Sequence, residues 1–220
     1  MFETLEVSAD GPIGHLWLNR PDRLNALSTA TLAELAAAAR WFDEQADVRV
    51  VIVGGRGRAF SAGADLDGFP MIGDVGLRQA ADVGRVMADA LEAMRAVSIA
   101  RIHGWCVGGG LVVAAACDLR VATATARFSI PEIDLGIPLA WGGIPRLVRE
   151  IGPALTKELV MTCREFGAEE ALEAVPGADV RRQSLRAGEL LPTIVALHAL
   201  PVSRCRRRAL GRPGPLKAGL

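Results

Sequence analysis

The stretch Cys106–Leu119, CVGGGLVVAAACDL, constrains the fold more than any other part of the chain. No residue from Leu111 to Cys117 is charged or strongly polar, so a helix there has no face to offer water and must lie inside a larger body. Three glycines, Gly108, Gly109 and Gly110, open it. Glycines at such a position let another backbone approach closely, or let a ligand meet free N–H groups at the positive end of a helix dipole. The triplet alone does not choose between a tight start to a core helix and a cradle for an oxyanion. A chain of 220 residues, half of them apolar, is long enough to enclose such a helix in one sizeable core.

The surrounding pattern is α/β. LEVS (5–8) and IGHLWL (13–18) read as an antiparallel strand pair joined at the turn residues Asp10, Gly11 and Pro12. From 31 to 45, Leu32, Leu35, Ala36, Ala39 and Phe42 recur at helical spacing, with Ser28 or Thr29 placed to cap. VRVVIVGG (48–55) is a continuous apolar run, which suits a strand covered on both faces. A second amphipathic helix spans 77–94, and strands are expected over 98–104, 118–123 and 126–132 on either side of the buried helix. Repetition of strand, loop and helix argues for layers built from ββα-like turns, with no linker before residue 174.

Charge and cysteine usage narrow the setting. The formal net charge of zero hides nine Lys or Arg against two Asp or Glu over 175–220, and sixteen against twenty-three before it. A basic tail can bind nucleic acid, but this one has five prolines, five glycines and no aromatic residue, a composition that packs poorly. The four cysteines, Cys106, Cys117, Cys163 and Cys205, show no CxxC pairing or zinc spacing. Apolar runs fall far short of the roughly 20 residues that span a bilayer. A cytoplasmic protein with no membrane partner and no metal is the expectation.

A second glycine-rich loop, GRAFSAGADLDGF (57–69), follows the strand that ends at Gly55. Its small residues Ser61, Ala62, Gly63 and Ala64 let a ligand reach the backbone N–H groups, although a plain glycine turn, with Asp65 as a surface carboxylate or N-cap, accounts for it equally well. Two such loops, each after a buried strand, can give one N–H apiece to a single carbonyl oxygen, the arrangement that stabilises an enolate or a tetrahedral oxyanion.

RPDRLNALS, AFSAGADL, IHGWCVGGGLVVAAACDLRVA and FSIPEIDLGI, in that order and spacing, resemble the crotonase superfamily, the enoyl-CoA hydratase/isomerase fold. The resemblance runs through about residue 174. It implies a spiral of ββα units, an acyl-CoA thioester as ligand with no separate cofactor, and homotrimers or dimers of trimers. It also implies an oxyanion hole from the N–H groups of Ala64 and Gly109, and coenzyme A contacts from Arg23, Leu24, Ala26, Ala62, Asp65 and Leu66.

Where hydratases of the family carry two glutamates, this sequence has Val112 at the first position and Glu132 at the second. A valine moves no proton, so water addition by two carboxylates is disfavoured. Glu132 alone still suffices to take an α-proton and return it at another carbon, as in isomerisation of a double bond. Asp134 would share a face with Glu132 if the segment were extended, and paired carboxylates can divide acid and base roles; a salt bridge or cap is the simpler reading. Trp141, beside two glycines, lines the acyl pocket or serves in ordinary packing. His103 reads as structural, and Cys106, without a base, is discounted as a nucleophile.

After Ala174 the resemblance stops. The turn to Arg, Pro, Gly and Ala over 175–220 reads either as a shifted frame of a GC-rich gene or as a diverged tail in which LLPTIVALHAL (190–200) forms one short helix. Either leaves the C-terminal helical region atypical or poorly ordered, without the lid that usually covers the acyl pocket. The sequence therefore favours an acyl-CoA isomerase of the crotonase type using Glu132. Its rival is a catalytically impaired relative that binds acyl-CoA or forms oligomers, and a nucleic-acid role for the tail ranks last.

Overall fold

The computed structural model describes residues 2–67, 75–174 and 194–198, with the backbone alone at 75–80 and 194–198. Strands β1 (Leu5–Asp10) and β2 (Ile13–Leu18) form an antiparallel hairpin across Gly11, whose φ of +52° suits glycine. Strands β3 (Val50–Gly55), β4 (Val97–Ile102) and β6 (Leu119–Thr123) extend the sheet in parallel from β2. Strand β9 (Ile194–His198) closes it antiparallel to β6. A smaller sheet holds β5 (Trp105–Val107), β7 (Arg127–Ser129) and β8 (Phe166–Gly167) in the order β5-β7-β8.

The chain climbs in repeating turns. Each of β4 and β6 leaves the large sheet, continues into β5 or β7 of the small one, and is followed by a helix: α3 (Gly109–Ala116) or α4 (Gly143–Thr162). This is the spiral of ββα units that the resemblance implies. Helix α1 (Thr29–Glu44) is capped by Ser28, whose hydroxyl accepts from Thr31 N at 3.2 Å, and it buries Leu32, Leu35, Ala36, Ala39 and Phe42 as its spacing predicts. Helix α2 (Val75–Ala93) packs along α1 and also touches α3. Seven of the eight residues of α3 are buried, so the apolar run does lie in the core. Helix α4 breaks at Gly152 (φ +78°), just before Pro153, which denies a backbone donor to the ladder. A short helix, α5 (Ala168–Glu173), ends the described core.

Three expectations are corrected. The strand assigned to 126–132 stops at Ser129, because the chain turns from Pro131 to Gly136 instead of continuing extended. The strand expected over 98–104 ends at Ile102, and a second one, β5, follows at 105–107, too short to carry a period. Residues 194–198, within the expected helix over 190–200, pair as β9; four apolar residues with two β-branched at their head, followed by His198, fit an edge strand as readily as a helix turn. The expectations of a missing lid and of poor order at 175–193 and 199–220 lie outside the described residues, as does Cys205.

Candidate active site

The two glycine loops are built against each other. Asn25, held at a φ of +56°, donates from Nδ2 to Arg56 O and Ala59 O at 2.8 Å each and accepts Arg20 N on Oδ1 at 2.9 Å. That side chain fixes 20–26 beside the loop after β3. Ala62 N then donates to Leu24 O (2.9 Å), Gly63 N to Ser61 Oγ (3.2 Å) and Asp65 N to Leu27 O (3.1 Å). Among these neighbours only Ala64 N–H is without a partner among the described residues. On the other side, Ser61 N donates to Trp105 O and Val107 N to Ser61 O, which lays the loop alongside β5 and the start of α3. The N–H of Gly109 is in the first turn of α3, where the helix itself supplies no acceptor. A Cβ on Gly63 would stand 2.9 Å from Val107 O and 3.5 Å from Gly109 N, a measure of how closely the two loops meet.

Ala64 and Gly109 face one cleft of about 470 Å³, counted with its open mouth, together with Val112, Glu132 and Trp141. Glu132 follows β7 at the start of the turn over 131–136, and 92% of it is withdrawn from solvent (8% exposed). Its carboxyl lies over the Cα of Gly108: a Cβ there would come within 2.9 Å of Glu132 Cδ and nearer still to Oε1. Glu132 Oε2 is buried without a hydrogen-bond partner. Burial pushes the carboxyl up to about 7 from an ordinary 4.5, and its own backbone N–H offsets only part of this. Such a group gives and takes protons near neutral pH, as an acid–base catalyst needs. Val112 is fully buried and packs on α4, 2.8 Å from where a Cβ of Gly143 would stand.

The remaining expected site residues divide. Arg23 and Arg20 converge on Asp65 at 3.3 and 2.7 Å, and Arg23 also pairs with Asp67. Asp65 is a buried anchor for these two arginines, which corrects the reading of it as a surface carboxylate. Burial would raise its carboxyl, but Arg20 and the Asp67 N–H together hold it below the usual range. Leu24 (φ +49°) and Ala26 contribute carbonyls to the loop frame, while Leu66 is half exposed. None of Arg23, Leu24, Ala26, Ala62, Asp65 and Leu66 lines the cleft. Asp134 is exposed on the turn and does not face the cleft with Glu132, because the segment is not extended. His103 is structural, its Nε2 2.8 Å from Gly57 O, and burial pushes the Cys106 thiol far above its ordinary range.

The sequence model of the enoyl-CoA hydratase/isomerase family matches residues 9–189. The chain belongs to that family. It is 36% identical to the "Probable enoyl-CoA hydratase echA8" of Mycobacterium tuberculosis, over 77% of this chain and 65% of that protein. It is 37% identical to the peroxisomal Δ(3,5)-Δ(2,4)-dienoyl-CoA isomerase of Arabidopsis thaliana, over 77% of this chain and 66% of that one. Among solved structures, an enoyl-CoA hydratase of Bacillus anthracis superimposes with a TM-score of 0.74 at 36% identity, covering 79% of this chain and 68% of that one. The chain thus spans about 65% of the length of the curated relatives it matches. The crotonase resemblance is borne out, and the family match runs past residue 174, where the sequence reading ends it, to residue 189.

As a hydratase/isomerase family member the chain carries features that sequence reasoning missed. Arg146, on α4, is buried; its Nη1 donates to Trp141 O (3.3 Å) and Gly142 O (3.1 Å), and its Nη2 pairs with Asp89 (2.7 Å) and Glu92 (2.6 Å) of α2. It ties the turn bearing Trp141 to the helix across the cleft. The only signal in the sequence was an arginine among apolar neighbours three residues after a double glycine. The buried pair Arg120–Glu150, at 2.6 Å, likewise joins β6 to α4 with no local pattern to announce it. Among the described residues no cluster of His, Cys, Asp and Glu is placed to hold a metal, and no helix is long and apolar enough to cross a membrane.

Proposed function

We propose that this protein binds an acyl-CoA thioester and isomerises its double bond, with Ala64 N–H and Gly109 N–H as the oxyanion hole and Glu132 as the one acid–base. The observation that carries the reading is the buried Glu132 carboxyl, its Oε2 without a hydrogen-bond partner, poised near neutrality in the same cleft as both free N–H groups. With a 3-enoyl thioester, the Glu132 carboxylate takes a proton from C2. The C–H electron pair moves into the carbonyl, whose oxygen the two N–H groups stabilise as the enolate. The electrons then return, the double bond shifts to C2–C3, and Glu132 delivers the proton to C4. One proton is carried and nothing else is consumed, so no cofactor beyond the coenzyme A of the substrate is called for.

Val112 favours isomerisation over hydration, because nothing at that position can share a water with Glu132. It equally favours the second reading, a relative that binds acyl-CoA without turning it over. Incubation of the wild type and Glu132→Gln with 3-enoyl-CoA and 2-enoyl-CoA separates the two. Conversion of the 3-enoyl ester by the wild type, lost in Glu132→Gln, is expected; binding without turnover of either ester defeats the enzyme reading. The same proposal has a homotrimer or dimer of trimers in the cytoplasm, for which light scattering of the purified chain is the check.

A further inference from the structure

We propose that Trp141 is the end wall of the acyl pocket and restricts this protein to thioesters of short apolar acyl chains, an inference that rests on the acyl-CoA reading above. Gly84 stands in the interior of α2, where glycine is the least favourable residue other than proline and its φ is ordinary. No turn or cap calls for it. A Cβ at Gly84 would overlap Cγ, Cδ1 and Nε1 of Trp141, and a Cβ at Gly109 would overlap Cζ3 and stand 2.8 Å from Cη2. The indole is therefore inserted between α2 and α3, pressed on a bare Cα at both edges.

Its backbone is held there against its own preference. Trp141 has a φ of +56° and Gly142 one of +69°, and a bulky residue in that region is an outlier that persists only when its surroundings over-determine it. Arg146 does this by binding both carbonyls while anchored to Asp89 and Glu92 on α2. The ring rests on Gly109, whose N–H is the proposed oxyanion donor, and among the described residues every side chain lining the cleft except Glu132 is apolar. A chain entering from the thioester carbonyl thus meets the indole. Because both flanking residues are glycines, neither places a side chain in the slot that the indole occupies. Trp141 itself lines the cleft, so its removal enlarges that cleft toward the slot between α2 and α3.

Calorimetric titration with butanoyl-CoA and decanoyl-CoA tests this without requiring turnover. The wild type is expected to bind butanoyl-CoA at least tenfold more tightly than decanoyl-CoA. Trp141→Ala should abolish or reverse that ratio, and Trp141→Phe, which keeps a ring between the helices, should fall between and covers the case in which the alanine variant does not fold. A purely structural tryptophan would lower both affinities together and leave the ratio as it was, which overturns the proposal. Equal affinity of the wild type for the two esters overturns it as well, leaving the acyl-CoA reading standing. Failure of the wild type to bind either ester overturns both.

Discussion

Glu132→Gln separates the chemistry of the site from its cost to the fold. In the folded protein the Glu132 carboxyl is raised to about 7, whereas in the unfolded chain it returns to about 4.5. Between these values the native state keeps a proton that the unfolded state has released, so stability is full below pH 4.5 and falls as the pH rises to about 7. At about 1.4 kcal/mol per tenfold, the loss is on the order of 3 kcal/mol, and the residue is buried enough for little of it to be screened. Glutamine does not titrate. It retains a buried amide that lacks a partner, a pH-independent penalty of about 1–3 kcal/mol. Urea unfolding of both proteins followed by circular dichroism at pH 5, 6, 7 and 8 should therefore show the variant gaining on the wild type by on the order of 3 kcal/mol across the series, with little change beyond pH 8. Other titrating groups cancel in the difference. The pH dependence of kcat/KM should mirror it, rising in the wild type with an apparent pKa near 7 as the base form appears. A stability difference that is flat with pH, or one that favours the wild type increasingly toward alkaline pH, refutes the reasoning.

Other perturbations follow from the same contacts. Gly108→Ala places a methyl group where the Glu132 carboxyl lies and forces alanine to a φ of +47°; turnover should drop about a hundredfold, as expected for misplacing a reacting group by about 1 Å, while circular dichroism still reports the fold. Val112→Glu puts a second carboxyl into a fully buried site packed on Gly143 and should cost on the order of 3 kcal/mol in urea unfolding; with both carboxyls in one cleft, 3-hydroxyacyl-CoA formation from 2-enoyl-CoA is the product to assay for. Asn25→Ala removes three side-chain hydrogen bonds, of 2.8, 2.8 and 2.9 Å, and should lower stability by about 2–3 kcal/mol and raise KM more than it changes kcat, since it loosens the loop frame and not the acid–base. Ser28→Ala, which changes no residue lining the cleft, should cost about 1 kcal/mol of stability and leave kinetics alone.

What was readable in advance was whatever a local period or a glycine signals. The strands β1 to β4, helix α1 with its Ser28 cap and the buried α3 all follow from spacing of apolar residues within one element. The convergence of Ala64, Gly109 and Glu132 on one cleft was legible through the resemblance. What escaped depends on partners distant in the chain. Asp65 looks like a surface acid until Arg20 and Arg23 fold over it, and Gly84 looks like a weak point in a helix until Trp141 is known to lie against it. Asp134 shares a face with Glu132 only if the segment is a strand, where the period-2 argument holds, and the chain turns after Pro131.

The glycine triplet shows how far a local signal reaches. A cradle for an oxyanion and a tight helix start were alternatives in the sequence, and the folded chain has three separate close approaches there. Gly108 leaves room for the Glu132 carboxyl, Gly109 for the Trp141 ring, and Gly110 for Ser61, whose Cβ and carbonyl oxygen would stand 2.9 and 3.1 Å from a Cβ there. Only Gly108 also needs its positive φ. Close packing and the proposed cradle are thus compatible in one arrangement: the neighbours that exclude side chains from 108–110 are the ones that wall the cleft, supply its carboxyl and bring the second loop against the first. Alanine at each position in turn should therefore injure different properties, proton transfer at 108, acyl-length discrimination at 109 and loop docking at 110, and a uniform loss of stability with no difference among the three would separate packing from function after all.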